Sequence, residues 1–468
     1  MSRPPNILFI MADQHNARCT GYEGHPDVRT PNLDNLVGDG VAFRRAYTCK
    51  AECMPSRMSF FTGLYTHCHG ITGNIDSEIP DYPSIVEQLR TEAGYRTGAV
   101  GKWHIGDWKT CGFEDRVLAA GNRWGNAYQQ YLAEKCLEPA KLDKRRCDAG
   151  CTGLTYEDSQ TVWGARQTMT MIDRLAESDK PFFLWSSYSP PHNPYAVPVD
   201  NPFPYDPEEI TLPPDDSRLY RMKPLSWRRG NENVWTREAV GEAKFREALA
   251  NYYSLISMVD DAVGMTVAHL EKRGLLENTI IVYTADHGDF AGEHAMMGKN
   301  TPGPYEPLYR IPFVWYWKGR FGMDHVYNLT EVVDFYPTIC ELAGLPIPRH
   351  CQGESLARRL LGSGSAWGFR QPRRRKVFFD EPFVKTVRTL DRKLAFVADG
   401  ENYGELYDLE KDPYESHNLY NDPAYRQDRL ELTEALLDWK IRCEQPVHWA
   451  KISGYPETPF RWFRKATT

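Results

Sequence analysis

The sequence contains no apolar run long enough to cross a membrane. A membrane-spanning helix needs about 20 consecutive apolar residues. No apolar stretch of this chain approaches that length, although 41% of its 468 residues are hydrophobic. The N-terminal segment MSRPPNILFIMADQ has only a short apolar run, and no small-residue cleavage site follows it, so it does not have the features of a signal peptide. We therefore expect no membrane partner, a first β-strand in this segment and a cytoplasmic protein.

The sequence also lacks an excess of basic residues and a disulfide framework. Its 56 Lys and Arg residues are outnumbered by 63 Asp and Glu residues, and the resulting net charge of -7 argues against nucleic acid as a partner. Eleven cysteines leave at least one thiol unpaired. Cys136, Cys147 and Cys151 lie close together, but no fourth ligand follows at the spacing of a zinc ribbon, so we expect free thiols.

Four short apolar segments have the composition of buried strands in a parallel sheet, and each leads into polar residues. The segments are NILFIM, YRTGAV, PFFLWSSY and TIIVYTA. The polar residues that follow them are Asp13 and Gln14, Lys102 and His104, His192, and Asp286 and His287. Because ligands bind at the carboxyl ends of the strands in open α/β sheets, these side chains are predicted to meet in one site.

Amphipathic segments between these strands predict helices, which indicates an α/β fold with a doubly wound, mostly parallel sheet flanked by helices. The clearest are DYPSIVEQLRTEAG, AKFREALANYYSLISMVDDAVGMTVAHLEKRG and VVDFYPTICELAG. We assign residues 1–365 to this catalytic domain. Residues 366–468 begin in a linker-like segment and predict a smaller C-terminal α+β domain, with short strands and a helix from Tyr425 to Cys443. Its aromatic tail is expected to dock on this subunit or on a neighbour, which would suit a homo-oligomer.

The segment CMPSRMSFFTG, which begins at Cys53, places a cysteine ahead of a proline, a serine and an arginine at the predicted start of a helix. A catalytic thiol at this position would need a neighbouring base to lower its pKa. A structural thiol would be expected in an apolar environment, which Glu52, Ser56 and Arg57 do not provide. The segment resembles instead the recognition sequence at which sulfatases have a cysteine oxidised to formylglycine.

This resemblance extends along most of the chain. The segments TPNLDNL, GKWHIG, SPPHNPY, TADHGDFAGEH, MGK and ELYDLEKDP look like blocks of the type I sulfatases and occur in the order of that family. The family belongs to the alkaline phosphatase superfamily, whose fold is a doubly wound sheet with a smaller C-terminal domain. The resemblance implies an enzyme that hydrolyses a sulfate monoester of a small molecule or a saccharide to the alcohol and inorganic sulfate.

The resemblance also implies roles for particular residues. A formylglycine-generating maturase would convert Cys53 to an aldehyde, whose hydrated gem-diol form supplies the nucleophile and later allows sulfate to be eliminated. The implied ligands of one divalent metal are Asp13, Gln14, Asp286, His287 and the modified Cys53. Arg57 would hold the modified side chain and help to neutralise charge.

Further residues are implied around the sulfate itself. Lys102, His104, His192 and Lys299 would surround it, and Asn74 would be a further substrate contact. His104 is the implied partner of the diol during elimination. His192 and Lys299 are implied to protonate or stabilise the leaving oxygen.

The implied metal ligands differ from those of many sulfatases at Gln14 and His287, where acidic and amide residues are usual and calcium is bound. A neutral amide and an imidazole lower the negative charge of the site and move its preference from calcium towards manganese, so we expect Ca²⁺ or Mn²⁺. This pair resembles the phosphonate monoester hydrolases and choline-sulfatase-like enzymes, whereas Lys102 and His104 resemble the sulfatases proper. Two alternatives stay open: a phosphonate monoester or phosphodiester hydrolase with the same nucleophile, and an unmodified, non-catalytic protein that binds an anion.

Two further features have no role that the sequence assigns. His67 and His69 flank Cys68 just after the cysteine segment and either line the pocket or pack. The segment from Asp215 to Trp235 mixes arginines and tryptophans, which could bind a sugar or an anionic substrate by stacking and ion pairing.

Overall fold

The computed structural model of the protein describes residues 4–74, 83–108, 111–120, 126–142, 149–214, 235–299, 303–363, 374–398 and 403–443. Its strands are β1 (Asn6–Asp13), β2 (Val41–Phe43), β3 (Ala46–Tyr47), β4 (Arg96–Lys102), β5 (Asp115–Ala120), β6 (Ala149–Cys151), β7 (Phe182–Pro191), β8 (Tyr195–Val197), β9 (Trp235–Thr236), β10 (Thr279–Ala285), β11 (Met296–Met297), β12 (Arg310–Ile311), β13 (Phe313–Tyr316), β14 (Asp324–Val326), β15 (Thr330–Glu331), β16 (Val377–Asp380), β17 (Val384–Arg388), β18 (Arg392–Val397) and β19 (Gly404–Asp408).

The α-helices of the described residues lie between these strands and after the last of them. They are α1 (Pro31–Gly38), α2 (Cys53–Thr62), α3 (Thr66–His69), α4 (Ile85–Glu92), α5 (Ala127–Glu134), α6 (Gln160–Ala176), α7 (Arg237–Val240), α8 (Glu242–Lys272), α9 (Glu306–Tyr309), α10 (Phe335–Leu342), α11 (Ala357–Leu361) and α12 (Arg426–Cys443).

Eight strands form the main sheet, in the order β14-β2-β13-β10-β1-β7-β4-β5. The strands β10, β1, β7, β4 and β5 are parallel to one another, whereas β13 is antiparallel to β10 and β2. The predicted doubly wound, mostly parallel sheet is confirmed, and the four predicted apolar segments are β1, β4, β7 and β10. The strands β2, β13 and β14 were not predicted, because each has only three or four residues and too little sequence pattern.

Both faces of the sheet are covered by helices, which explains why its central strands are apolar throughout. All eight residues of β1 are buried. On one face the ring of Phe9 stacks on Phe335 of α10, with a centroid distance of 4.3 Å. On the other face Ile10 belongs to a core that includes Ile172 of α6 and Val259 of α8. The result is a three-layer α/β/α arrangement that leaves the carboxyl ends of the strands to form a site.

The close approach of β4 and β7 depends on Gly101. Its φ of +93° lies in the left-handed region, and a Cβ atom at this position would lie 2.0 Å from the carbonyl oxygen of Ser187. Only glycine fits there, because a side chain would be strained by the backbone conformation and would overlap β7. The pairing with β5 shifts register after Gly101, and the next residue, Lys102, ends β4 opposite Ala120.

The second part of the chain forms a four-stranded antiparallel sheet, β16-β17-β18-β19, on which α12 packs. Trp439 of α12 stacks on Phe378 of β16 at 4.8 Å and contacts Tyr65, which precedes α3. The predicted C-terminal strands and terminal helix are confirmed. Among the described residues, no helix is both long enough and apolar enough to span a membrane.

Several predictions concern residues outside the described ranges. These are the boundary between residues 365 and 366, Cys147, positions 215–234 of the arginine- and tryptophan-rich segment, and the aromatic tail after Cys443. The ten described cysteines are free thiols, as predicted.

Candidate active site

Cys53 is the first residue of α2, and its side chain is buried at the carboxyl ends of the central strands. Charged and metal-binding groups surround its sulfur. The Lys299 ammonium lies 2.9 Å away and Nε2 of His287 lies 3.3 Å away. Oδ1 of Asp13 and Nζ of Lys102 both lie at 3.7 Å. The predicted convergence of polar residues at these strand ends is therefore present, with Cys53 at its centre.

The surroundings of Cys53 favour a negative charge. Burial alone would raise the pKa of the thiol, but the positive charges of Lys102 and Lys299 lower it well below its usual value. The N-terminus of α2 adds the partial positive charge of its peptide dipoles. Any anion at this position is stabilised for the same reasons.

Four side chains around this point form a compact set of metal donors. One donor atom from each of Asp13, Cys53, Asp286 and His287 lies within 4.8 Å of the other three, and all four residues are buried. Nδ1 of His287 lies 2.9 Å from the carbonyl oxygen of Gly288, which can only accept a hydrogen bond. Nε2 of His287 is therefore the nitrogen that can present a lone pair to a metal.

Gln14 supplies a fifth donor. Its amide nitrogen donates to Oδ2 of Asp289 at 2.6 Å, and its amide oxygen is buried without a hydrogen-bond partner. Such an oxygen is costly unless a cation or another donor satisfies it. The backbone of Gln14 has a φ of +66° and is held by the hydroxyl of Tyr252, which donates to its carbonyl oxygen at 2.8 Å. The predicted ligand set thus fits a divalent cation.

The sequence alone assigns no role to Asp289, which lies two residues after His287 in the segment TADHGDFAGEH. Its Oδ1 accepts from the backbone N–H groups of Ala291 and Gly298, and its Oδ2 also accepts from the Tyr195 hydroxyl. These bonds hold the Asp289 carboxylate in place independently of Gln14. Because the carboxylate accepts from the Gln14 amide nitrogen, the amide oxygen of Gln14 faces the metal donors.

Arg57 connects the two aspartates rather than contacting Cys53 through a hydrogen bond. Its Nη2 donates to Asp13 at 2.9 Å and its Nε to Asp286 at 2.8 Å. Its Nη1 donates to the Ser187 hydroxyl at 2.9 Å and to the carbonyl oxygen of Lys102 at 3.2 Å. The fully buried guanidinium thus orients two metal donors and neutralises part of their charge.

The remaining predicted residues lie around the same point. His104 is close enough to Cys53 to hydrogen-bond its sulfur, and it has the positive φ of +47°. Nε2 of His192 lies 3.9 Å from Oδ1 of Asp13, and its Nδ1 lies 2.6 Å from the carbonyl oxygen of Asn193. Burial and the charge of Lys299 lower the pKa of His192.

A sequence model of one enzyme family matches most of this chain. The model is described as "Sulfatase" and matches residues 5–345. A second model, described as the C-terminal part of N-sulphoglucosamine sulphohydrolase, matches residues 292–442. The chain belongs to the sulfatase family. It is a sulfuric ester hydrolase, as the resemblance implied, and formylglycine and a divalent metal are typical of the family.

The sulfatase has curated relatives over nearly its full length. It is 30% identical to an arylsulfatase of Clostridium perfringens over 98% of this chain and 100% of that protein. It is 25% identical to an N-acetylglucosamine-6-O-sulfatase of Bacteroides thetaiotaomicron over 93% of this chain and 86% of that protein.

Solved structures share the fold of the sulfatase. A phosphonate monoester hydrolase of Agrobacterium radiobacter has a TM-score of 0.81 at 23% identity, covering 94% of this chain and 96% of its own. A protein in complex with its substrate D-glucosamine-2-N,6-O-disulfate has a TM-score of 0.73 at 22% identity, covering 94% of this chain and 98% of its own. These similarities confirm the alkaline phosphatase-like α/β architecture.

Three further residues that the sequence analysis named, Asn74, His67 and His69, lie outside the catalytic centre. Asn74 is exposed, and its Oδ1 accepts a hydrogen bond from the backbone N–H of Met54 at 2.9 Å, beside Cys53. His69 bonds Ser59 within the fold, with 3.1 Å between Nε2 and Oγ. His67 contacts Asp380 through Nδ1. Asn74 is thus placed near the entrance to the site, whereas His67 and His69 are held within the fold.

Proposed function

We propose that this sulfatase hydrolyses a sulfate monoester at residue 53 after Cys53 has been converted to formylglycine, with one divalent cation held by Asp13, Gln14, Asp286 and His287. The observation that carries the proposal is the position of Cys53. Its buried sulfur lies at the N-terminus of α2 between two ammonium groups and a set of metal donors. No other described cysteine combines this sequence motif with these neighbours.

Formylglycine and a divalent cation, when present, supply a nucleophilic oxygen and neutralise charge on the sulfate. The chain itself supplies further positive charge. Lys102 and Lys299 both reach the position of residue 53, so they are placed to bind the oxygens of a sulfate that meets it. The cations Arg57, Lys102 and Lys299 outnumber the carboxylates Asp13 and Asp286, which favours an anionic substrate.

Proton transfer is assigned to two histidines. Nδ1 of His192 is directed to the carbonyl oxygen of Asn193, so Nε2 is the atom that exchanges a proton with the leaving oxygen. His104 lies against Cys53 and is placed to accept a proton from the modified residue 53. Lys299 can stabilise the leaving oxygen as an ammonium group. Its pKa, which burial would lower, is raised above its usual value by the negative charges of Cys53 and Asp13.

The proposed metal and the proposed substrate class are supported by the donors and by the relatives. The neutral Gln14 amide and the His287 imidazole favour Mn²⁺ over Ca²⁺. A sulfated saccharide is the proposed substrate class, supported by the relative that bears the name N-acetylglucosamine-6-O-sulfatase. A formylglycine-generating maturase is the implied partner. A cytoplasmic location and a homo-oligomeric state stay predictions.

A second candidate function is phosphonate monoester or phosphodiester hydrolysis with the same nucleophile. The metal site favours this function, because Gln14 and His287 resemble metal ligands of the phosphonate monoester hydrolases. The shared features of the two substrates, an anionic tetrahedral centre and an alcohol leaving group, allow one donor set to serve both.

The deciding experiment is to express the protein with a formylglycine-generating enzyme and measure the mass of the peptide that contains Cys53. Conversion exchanges one sulfur and two hydrogens for one oxygen. The matured protein is then assayed with an aryl sulfate and an aryl phosphonate, each with Ca²⁺ and with Mn²⁺. We expect the mass change and faster turnover of the sulfate ester.

Two variants make this experiment specific. Cys53→Ala should abolish turnover without changing the circular dichroism spectrum, whereas Cys340→Ala, which removes another buried thiol, should retain turnover. Faster turnover of the phosphonate would favour the second candidate. Absence of the mass change with a competent maturase, together with sulfate binding and no turnover, would favour the non-catalytic anion-binding protein.

A further inference from the structure

A second cluster of metal donors lies outside the active site. One ring nitrogen of His67 and the sulfurs of Cys68 and Cys443 lie within 4.8 Å of one another. His67 and Cys68 are in α3, and Cys443 is the last residue of α12. Cys68 is half-buried and the side chains around it leave it partly accessible, so an ion can reach the cluster from solvent.

His67 is oriented as metal-binding histidines are. Its Nδ1 lies 2.5 Å from Oδ2 of Asp380, and the same oxygen accepts from the backbone N–H of His67 at 2.8 Å and from the Thr66 hydroxyl at 2.6 Å. Asp380 is itself paired with Lys385 at 2.8 Å. The Nε2 atom of His67 is buried and has no nitrogen or oxygen partner, and the ring lies within hydrogen-bond reach of the Cys68 thiol. A carboxylate on one ring nitrogen and a free lone pair on the other is the usual arrangement around a zinc-bound histidine.

Cys68 also has a supporting partner. The side-chain amide of Gln352 donates to its sulfur at 3.1 Å, and the oxygen of the same amide accepts from the backbone N–H of Tyr65 at 2.8 Å. The second bond fixes the amide so that its N–H group faces the thiol. N–H donors of this kind stabilise a metal-bound thiolate. The sulfur of Cys68 also lies 3.4 Å from the carbonyl oxygen of Cys443.

We propose that His67, Cys68 and Cys443 bind a Zn²⁺ ion that joins α12 to α3. Two thiolates and an imidazole are ligands that zinc prefers, whereas calcium and manganese prefer oxygen, so this site differs in metal class from the active site. Three protein ligands leave the fourth tetrahedral position to water. Because α3 follows α2 after a short turn, the site would tie the C-terminal helix to the helix that carries Cys53.

The test measures Co²⁺ and Zn²⁺ binding to the full chain carrying Cys53→Ala, kept reduced, so that no thiol of the active site contributes. We expect a thiolate-to-cobalt charge-transfer band that saturates at one equivalent and disappears when Zn²⁺ is added. The band should be lost in Cys53→Ala/Cys443→Ser and in Cys53→Ala/His67→Gln. It should be retained in Cys53→Ala/Cys340→Ser, which changes a buried cysteine elsewhere.

Variants of the surrounding groups give a second readout. Asp380→Asn should weaken Zn²⁺ binding about 10- to 100-fold, because the His67 ring loses its carboxylate partner, whereas Lys385→Gln should change it by about twofold or less. The thermal unfolding temperature of each metal-free variant, measured first, identifies any variant that does not fold. If Cys443→Ser does not fold, Cys443→Ala takes its place, and His67→Gln tests the site independently.

Two results would overturn the proposal. One is a reduced Cys53→Ala protein without a thiolate-to-cobalt band, and the other is a band that survives the loss of Cys443. If the protein without a band contains a Cys68–Cys443 disulfide when it is prepared without reductant, the cluster is a redox pair and not a metal site. Peptide mass, which falls by two hydrogens on disulfide formation, identifies that case.

Discussion

At the scale of single residues, the site depends on side chains that hold other side chains. Asp289 accepts a hydrogen bond that fixes the Gln14 amide. Arg57 donates hydrogen bonds to Asp13, Asp286 and Ser187. The metal donors therefore have defined positions before any ion or substrate binds, which lowers the cost of binding.

The role of Asp289 can be tested by Asp289→Asn. The new amide would place an N–H group against the Gln14 amide and the Tyr195 hydroxyl, so Gln14 should turn and direct its own N–H group into the donor set. We expect Mn²⁺ affinity, measured by calorimetry, to fall about 10- to 100-fold. Tyr195→Phe removes the other bond to the same oxygen and should have a much smaller effect. Equal affinities of Asp289→Asn and wild type would refute this role.

Arg57 is predicted to require its guanidinium and not only its charge. Arg57→Lys keeps the charge, but one ammonium cannot reach Asp13, Asp286 and Ser187 at once, so buried acceptors lose their partners. We expect the free energy of unfolding in urea to fall on the order of 3 kcal/mol and turnover of the matured enzyme to be severely reduced. Arg90→Lys, at a partly exposed pair with Glu87, serves as the control and should cost about 0.5 kcal/mol or less. A similar loss in both variants would contradict the argument.

At this scale the sequence could predict which side chains come together in the site. It could not predict the residues that hold those side chains in position. Asp13, His192 and Asp286 follow strong apolar strands, so their convergence at one sheet edge is expected from general rules. The Gln14–Asp289 bond joins residues 275 positions apart and depends on turns whose geometry has no simple sequence signal. Roles such as that of Asp289 emerge only from the folded chain.

At the scale of elements, the strands that carry the site were predicted because burial on both faces makes them continuously apolar. The helix α6 was not singled out, although its 17 residues lie between β6 and β7 and pack on the sheet. The short antiparallel strands β2 and β13 also went unpredicted, since three or four residues have no distinctive period. Short length explains the two unpredicted strands but not α6, whose 17 residues are long enough to be recognised.

The junction of β4 and β7 gives an element-scale prediction. Gly101→Ala should lower the free energy of unfolding by more than about 2 kcal/mol, because the new Cβ would overlap the Ser187 carbonyl at a φ of +93°. Gly94→Ala is the matched control: its φ is +68°, but no atom lies within 4 Å of the added Cβ, so only the backbone cost of about 1 kcal/mol is expected. Urea denaturation of both variants measures the difference. Equal effects would show that the overlap is relieved by movement of β7.

At the scale of the whole molecule, stability should depend on pH through Asp260, which joins α8 to α1. Burial raises its pKa to about 6, although N–H groups of Leu33 and Asn32 donate to the carboxylate. The unfolded value is about 3.9. Because the folded pKa is the higher one, the stabilisation is fully present below about pH 3.9 and is lost as pH rises through about 6.

Asp260→Asn should remove that part of the pH dependence, whatever its net effect on stability. Between about pH 4 and pH 8 the decline in unfolding free energy should be smaller in the variant by on the order of 2–3 kcal/mol. Urea unfolding at a series of pH values measures it. Asp261→Asn, at the adjacent position where the Tyr156 hydroxyl is the partner, is the control. Parallel pH profiles for wild type and Asp260→Asn would exclude the assignment.

The burial of α2 has a consequence for when the enzyme can be made active. All ten residues of α2 are buried, so the stretch Cys53–Arg57 that the proposed maturase would read is covered by the rest of the fold. A sulfate group needs to reach only one atom of residue 53, but an enzyme that recognises a peptide needs the whole stretch in its own cleft. With the proposed conversion of Cys53, activation and folding would therefore compete during synthesis, and a molecule that folded first would keep its thiol until it unfolded again.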